Sequence, residues 1–452
     1  MTIDMPPTLP PTLPPALPME FQDEIVAITT QLRISGPVIL VMRFSSRLDP
    51  ERLARAARLL IDAEPILGCR FTMTAAGPVW RRRDDADAVA WFEHAVAADH
   101  AAAVRAVLGA EEPMDGRNLV IRLFSLPDGD TLAVTVSHVV ADGTAGYECA
   151  YRLAALYTAL RDDPAHRPEP NPASRDSFEW LAGFTFRHKA RTLWRDLAEL
   201  RHVGRRSMGV TFAHGLDAWM TLPRSTPCFV ERRIEPHELD AIDRLAAAHG
   251  CGRMDVLVAG LARAFTDFAD GRPGQAFRVI LPSNLRRFTP GARRPSIRNM
   301  AGVATMTFDP ARAAGFARTL QAAAREAARI KHGLSGAMNP VAVALLRGMS
   351  FARKQRMLEG VVRRSLHQPA PPTFTNVGRL HEGRVRFDGP GPDSVMLVGG
   401  AYPMPLLVLG GVEYRRSLNL AIAFQEAGMP KARMQAFIDD VVKQIPFALT
   451  AG

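Results

Sequence analysis

One short segment of the sequence combines the residue types that proton transfer requires. Thr131–Tyr147 reads TLAVTVSHVVADGTAGY, with His138 four residues before Asp142 and with Gly143 next in the chain. A histidine changes protonation near neutral pH, so His138 can take a proton from a hydroxyl or an amine. A helix that starts at the glycine would add backbone N–H groups and positive potential, which stabilise developing negative charge. The segment therefore indicates general-base chemistry.

A simpler interpretation of the same residues is structural. Asp142 would be the N-cap of a helix, and His138 would be a histidine that satisfies its hydrogen bonds at the edge of a sheet. The rest of the sequence offers no chemistry of equal quality, because it lacks a GxSxG elbow, a Walker A loop, an HExxH helix and a GxGxxG turn. His138 is therefore the leading candidate for a reactive group, and no metal site is predicted.

Hydrophobic periodicity predicts the elements that position these residues. Thr131–His138 alternates as a strand does, which places His138 at its end, on the same face as three apolar side chains. Asp142 and Gly143 then turn the chain tightly into a helix over Thr144–Leu160. A rigid strand followed by a loop is a common setting for a reactive side chain.

The pattern along the chain predicts two α/β halves. Strand Thr226–Ile234 and the helix after Pro236 repeat the order of strand Pro37–Ser45 and helix 51–63. The proline repeats at the start of the chain favour polyproline II and cannot form a core. The predicted organisation is a Pro-rich disordered leader (1–18), a first half (19–165), a crossover linker with a basic amphipathic helix (166–222) and a second half (223–452).

Bulk composition limits the class of protein. With 452 residues, of which 47% are apolar and 23% charged, the chain is long enough for two folded domains. The net charge of +10 attracts a phosphate, an acidic carrier protein or an anionic membrane, and no motif points to nucleic acid. The cysteines are widely spaced, which favours free thiols. The chain lacks an apolar run of about 18 residues and a signal-like leader, so we expect a soluble cytoplasmic protein. We expect a monomer.

With these residues in view, SHVVADG resembles the HHxxxDG or HxxxDG signature of the condensation-domain-like, CoA-dependent acyltransferase superfamily. Its members include condensation domains, polyketide-associated acyltransferases, wax ester synthases and chloramphenicol acetyltransferase. The resemblance covers essentially residues 19–448 and extends to the opening LDPERLARAARLL and EPILGCRF strings. It implies an α/β fold of two chloramphenicol-acetyltransferase-like halves, each a mixed sheet flanked by helices, forming a V-shaped pseudo-dimer with a tunnel between them.

The resemblance also implies further site residues. VILPSNLR is similar to the strand-plus-NLR segment whose arginine pairs with the motif aspartate, so Arg286 would form a bidentate ion pair with Asp142. Alternatively, Arg286 or its neighbour Arg287 is only a surface charge. Ser137 stands where many condensation domains have a first histidine. FTNVGRL resembles a segment that lines the tunnel opposite the histidine. The residues that the resemblance implies for the substrate tunnel or the oxyanion are Ser137, Thr375, Asn376 and Gly378. The string Arg298–Gly302 is a weaker candidate for the tunnel wall.

As an acyltransferase of this kind, the protein would bind no cofactor and would use a CoA or phosphopantetheine thioester as co-substrate. The donor would be an acyl-CoA or an acyl or peptidyl carrier protein, and the acceptor a small alcohol or amine. Two alternatives stay open. Ser137 allows a non-catalytic module that docks a carrier, and the basic helices near 184–206 and 347–364 allow a wax ester or diacylglycerol acyltransferase with peripheral membrane contact.

Overall fold

The first half of the chain folds around one large sheet. The computed structural model describes residues 15–110, 116–179, 185, 187, 190, 207–212, 215–272, 274–289, 296–310, 315–331 and 346–447. The elements of the first half are β1 (Ala16–Pro18), α1 (Phe21–Gln31), β2 (Val38–Phe44), α2 (Pro50–Ala63), β3 (Cys69–Thr74), β4 (Gly77–Arg82), β5 (Phe92–Val96), α3 (His100–Gly109), β6 (Leu119–Leu126), β7 (Gly129–Val136) and α4 (Gly143–Asp162). Helix α2 starts as its sequence predicts, because Asp49 accepts hydrogen bonds from the Glu51 and Arg52 N–H groups and Pro50 follows it.

The second half repeats the alternation of strands and helices. Its elements are α5 (Leu216–Thr221), β8 (Pro227–Ile234), α6 (Pro236–Ala248), α7 (Arg253–Phe268), β9 (Phe277–Asn284), β10 (Ala301–Phe308), α8 (Phe316–Lys331), α9 (Phe351–Ser365), β11 (Thr373–Arg379), β12 (Ser394–Val398), β13 (Val408–Tyr414), β14 (Ser417–Gln425) and α10 (Lys431–Lys443). The basic helix predicted near 184–206 falls almost entirely outside the described residues. The second predicted basic helix corresponds to α9.

Two large mixed sheets confirm the prediction of two α/β halves. The first has the order β12-β2-β7-β6-β5, and the second has the order β10-β9-β11-β13-β14-β8. A small antiparallel sheet, β1-β4-β3, flanks the first half. One apolar core lies between the first sheet and helices α2 and α4, and another lies between the second sheet and its helices. A third cluster, which contains Ile39 and Ala133 from the first sheet and Phe229 and Ala421 from the second, joins the halves.

The halves are not separated at residue 222 as cleanly as the sequence predicts. Strand β12 belongs to the second half in sequence but pairs antiparallel with β2 at the edge of the first sheet, Met396 opposite Val41. It passes so close to β13 that a Cβ on Gly410 would lie 2.2 Å from the Leu397 carbonyl oxygen. Glycine at this position therefore permits the exchange of a strand between the halves.

The predicted disordered leader is also shorter than 18 residues. Leu17 lies in β1, opposite Trp80 of β4, so backbone pairing with this edge orders the last residues of the leader. The part of the leader before residue 15 lies outside the described residues.

Candidate active site at the end of strand β7

His138 lies in a turn between β7 and α4, two residues beyond the end of regular strand pairing at Val136. Strand β7 ends at Val136, not at His138, and the Val140 N–H donates to the Ser137 carbonyl at 3.2 Å to form the turn. Asp142 then caps α4, since its Oδ1 accepts from the Ala145 N–H at 2.9 Å. The imidazole is therefore positioned by the turn and by its neighbours, and strand alternation does not decide its direction.

The Asp142 carboxylate is directed into the protein and fixes the loop. Its Oδ2 accepts from Arg286 Nη1 at 2.7 Å and from the Met300 N–H at 2.7 Å, and the residue is 4% exposed. Burial alone would raise the pKa of Asp142, but the Arg286 charge and these hydrogen bonds hold it below its ordinary value. The ion pair that the resemblance implied is present, but it is not bidentate, because Arg286 Nη2 donates to the Arg298 carbonyl at 2.8 Å.

Asn299 is the residue of the second half that holds His138. Its Nδ2 donates to the His138 carbonyl oxygen at 3.1 Å and lies 3.1 Å from His138 Nδ1. Its Oδ1 accepts from the Ala301 N–H at 3.1 Å, so this amide orientation satisfies both backbone groups. With Nδ1 accepting, the proton of the neutral ring lies on Nε2. The sequence offered Asn299 only as part of a weak tunnel-wall string, and its contact with the histidine is a product of the tertiary structure.

Gly143 permits a close approach between the halves. Its φ is not positive, so the turn into α4 does not by itself require a glycine. A Cβ on Gly143 would instead lie 2.4 Å from Val377 Cγ2, on the FTNVGRL strand β11. One turn further along α4, the Tyr147 hydroxyl donates to the Gly378 carbonyl at 3.3 Å. The start of α4 therefore packs directly against β11.

Strand β11 also carries the three residues that were predicted for the tunnel or the oxyanion. Asn376 is already engaged, because its Oδ1 accepts from the Gly378 N–H at 2.9 Å and its Nδ2 contacts the Met254 sulfur at 3.1 Å. The sulfur contact uses one of the two Nδ2 hydrogens, so the oxyanion role of Asn376 stays a prediction. Gly378 has φ 87°, which explains the glycine at this bend. Thr375 is half-buried on the same strand.

A cavity between the halves reaches the loop from one side. This inter-half cavity has a volume of about 460 Å³ and is lined by residues of both halves, including Thr135, Ser137, Tyr402 and Gln425. Such a volume is typical of small-molecule sites. Ser137 lines it and His138 does not, so the cavity ends beside the histidine rather than around it.

Arg175 is a site residue for which the sequence carries no signal. It lies in the crossover segment, and its Nε donates to the Ile297 carbonyl at 2.9 Å while Nη1 lies 3.0 Å from the buried Asp23 carboxylate. Its Nη2 lies 3.5 Å from the Val140 carbonyl oxygen. The guanidinium therefore braces the segments that carry His138 and Asn299.

Comparison with solved structures identifies the fold. The chain resembles the first condensation domain of the calcium-dependent antibiotic synthetase, solved with a substrate analogue, at 18% identity and a TM-score of 0.67, covering 97% of each chain. Trichothecene 15-O-acetyltransferase from Fusarium sporotrichioides matches at 13% identity and a TM-score of 0.65, covering 98% of this chain and 99% of that one. The chain has the condensation-domain-like, CoA-dependent acyltransferase fold. Polyketide synthase associated protein 5 from Mycobacterium tuberculosis matches it at 14% identity and a TM-score of 0.60, covering 98% of this chain and 100% of that one.

The likeness rests on three-dimensional structure, since no protein-family model and no curated protein matches the sequence. The condensation-domain-like fold agrees with the expected pair of halves. Among the described residues, no group of three or more His, Cys, Asp or Glu side chains could hold a metal ion. No helix in the described ranges is both long enough and apolar enough to cross a membrane.

Proposed function

We propose that the protein is an acyltransferase that moves an acyl group from a thioester donor to a hydroxyl or amine acceptor, with His138 as general base. The observation that carries the proposal is that Asp142 and His138 lie in different environments in the HxxxDG loop. Asp142 is buried against Arg286 and cannot reach a substrate, whereas His138 is partly exposed beside the inter-half cavity. A partly exposed histidine next to a substrate-sized cavity is suited to proton transfer.

In the proposed reaction, His138 Nε2 takes the proton of the acceptor as its oxygen or nitrogen attacks the thioester carbonyl carbon. The carbonyl electrons move to oxygen, and the first N–H groups of α4, which have no partner within the helix, are suited to stabilise that oxyanion. Collapse of the tetrahedral intermediate breaks the C–S bond. His138 then returns its proton to the thiolate, so the products are an ester or amide and a free thiol.

The base role requires the ring proton on Nδ1. The Asn299 Nδ2 donor lies 3.1 Å from Nδ1, so we propose that the amide turns its oxygen to the ring when the reaction begins. That rotation gives up the hydrogen bonds to the His138 carbonyl and the Ala301 N–H. At about 1–3 kcal/mol for each buried group left without its partner, the cost is still small beside the total barrier of an acyl transfer.

The donor proposed here is an acyl-CoA or an acyl carrier protein, and the acceptor is a small alcohol or amine. Both donors carry phosphate, which suits the net charge of +10.

The test measures thiol release from a panel of acyl-CoA and acyl-carrier donors with alcohol and amine acceptors. His138→Ala should lower kcat by about 10²–10⁴ while the thermal melt stays close to that of the wild type. His249→Ala is the matched control, because His249 is exposed at the end of α6 and does not line the inter-half cavity. Equal turnover by wild type and His138→Ala would place the chemistry elsewhere.

The two alternatives give different results in the same experiment. A module that only docks a carrier would bind it tightly and release no thiol with any donor. An enzyme that acts at a membrane surface would float with anionic vesicles and would turn over only when lipid is present.

A further inference from the structure

The inter-half cavity carries an excess of positive charge. Four arginines line it, and no aspartate or glutamate is among its lining residues. Arg117 and Arg122 share one carboxylate beyond the wall, with Arg117 Nη1 2.9 Å from Glu93 Oε1 and Arg122 Nε 2.7 Å from Glu93 Oε2. The other two, Arg33 and Arg224, have no carboxylate partner in the described part of the chain. A charge excess in a concave site attracts an anionic ligand.

Arg33 is held at the cavity in a backbone conformation that arginine rarely adopts. It follows the C-cap Leu32 of α1 with φ 59°, at a position that glycine usually occupies. Its Nη1 donates to the Met220 and Leu222 carbonyls at 2.9 and 2.8 Å, at the end of α5. No hydrogen bond to the described residues uses its Nε or Nη2, so those donors are open to a ligand.

Arg224 places a second guanidinium close to the first. Burial lowers the pKa of Arg33, and the positive charge of Arg224 lowers it further. Two like charges repel unless an anion lies between them, and paired guanidinium groups match the oxygens of a phosphate or a carboxylate. Arg224 is exposed and is not paired with any described residue, so it can close over such an anion.

An independent observation comes from inside the cavity. Thr135 on β7 lines it and is 6% exposed, and its Oγ1 is buried without a hydrogen-bond partner among the described residues. Thr30 on α1 lines the same cavity and has a second such hydroxyl. Buried polar atoms normally have partners, so two orphaned hydroxyls on one cavity indicate that a polar ligand completes it.

We propose that the inter-half cavity binds an extended substrate by its anionic end, with a phosphate or carboxylate between Arg33 and Arg224. The polar arm of this substrate meets Thr135, and its reactive end reaches Ser137, beside His138. The inference rests on the acyl-transfer function proposed above and deepens it, because it requires one of the two substrates to be an anion. The phosphate of a phosphopantetheine thioester and the carboxylate of an acidic acceptor share this chemistry, so both sources are tested.

Binding measured by calorimetry tests the site without relying on turnover. The donor probes are phosphopantetheine and pantetheine, which differ by the phosphate, and the acceptor probes are hydroxy acids and amino acids with their methyl esters. The wild type should bind the anionic member of one of these pairs about tenfold more tightly, as expected for a charge-assisted contact. Arg224→Gln should abolish that preference, whereas Arg244→Gln, an exposed arginine on α6, should keep it. The pair that shows the effect identifies which substrate fills the cavity.

Thr135→Val is a second variant that separates binding from folding. Valine has nearly the shape of threonine and removes the orphaned hydroxyl, so the melting temperature should stay the same or rise while the anionic probe binds several-fold more weakly. A fall in stability with unchanged binding would show that the hydroxyl serves the fold instead.

The proposal is overturned if wild type and Arg224→Gln bind every anionic probe with equal affinity. It is also overturned if the wild type binds no anionic probe at millimolar concentration. Failure of the proposed function looks different. If no donor is turned over but the Arg224-dependent preference is present, the anion site stands and acyl transfer is wrong. If turnover is present and Arg224→Gln leaves KM unchanged for every anionic substrate, acyl transfer stands and the anion site is wrong.

Discussion

Replacement of Asp142 by alanine separates a structural from a proton-transferring role of the motif aspartate. The substitution removes the N-cap of α4, which costs about 1 kcal/mol. It leaves the Met300 N–H without an acceptor in a residue that is 0% exposed, which costs about 1–3 kcal/mol. It also leaves Arg286, whose side chain is only 15% exposed, with no carboxylate. Together these losses match the roughly 3–5 kcal/mol expected when one partner of a buried ion pair is removed.

We therefore expect Asp142→Ala to lower the melting temperature by roughly 3–10 °C and to lose activity because the loop changes shape. Urea unfolding and thermal melts measure the stability, and thiol release measures the activity. Asp128→Ala is the matched control, since Asp128 forms an exposed pair with Arg43 and its loss should cost at most about 1 kcal/mol.

A double-mutant cycle with Arg286→Met measures the pair itself. Because removing both charges leaves neither one buried alone, the double variant should be less destabilised than the sum of the two single variants. An Asp142→Ala protein that is as stable as the wild type but inactive would refute the structural role and would assign the carboxylate to the chemistry.

Three further predictions follow from the same contacts. Gly143→Ala should lower the free energy of unfolding by about 1–3 kcal/mol, as measured with urea, because its Cβ would overlap Val377 Cγ2. Val377→Ala in the same chain should restore most of that loss. A double variant that is not rescued would contradict the steric explanation. Asn299→Ala should lower kcat about tenfold to a hundredfold in the thiol-release assay, because the imidazole loses its orientation, while the donor KM stays near the wild-type value. An unchanged kcat would show that Asn299 does not belong to the site. The pKa of Asp142 lies below the unfolded value of about 3.9, so its stabilising effect is complete above that pH and is lost as the pH falls through the folded-state pKa. Melts of wild type and Asp142→Asn should therefore differ at pH 7 and converge as the pH falls from about 4 through the folded-state pKa, and a constant gap would show that the carboxylate charge is not the stabilising feature.

The fold follows largely from local patterns that the sequence displays. Strand β2 and helix α2 were predicted within one residue of their bounds, because apolar patterns with clear turn signals leave few alternatives. The exchange of β12 between the halves could not be predicted. It depends on a backbone contact between Leu397 and Gly410 that leaves no periodic signal in either strand.

For the site, the sequence by itself determined the chemistry that is available: a histidine at a strand end, an aspartate at a helix start and a glycine between them and the helix. The pairing of Arg286 with Asp142 was implied by the resemblance of the HxxxDG and NLR strings to those of the superfamily. Only the tertiary structure decided that Arg286 binds the Asp142 carboxylate with one nitrogen, that Asn299 holds the His138 ring and that Gly143 faces Val377. The reason is physical: each of these contacts joins residues more than a hundred positions apart, and their geometry is set by how two separately built sheets pack against each other.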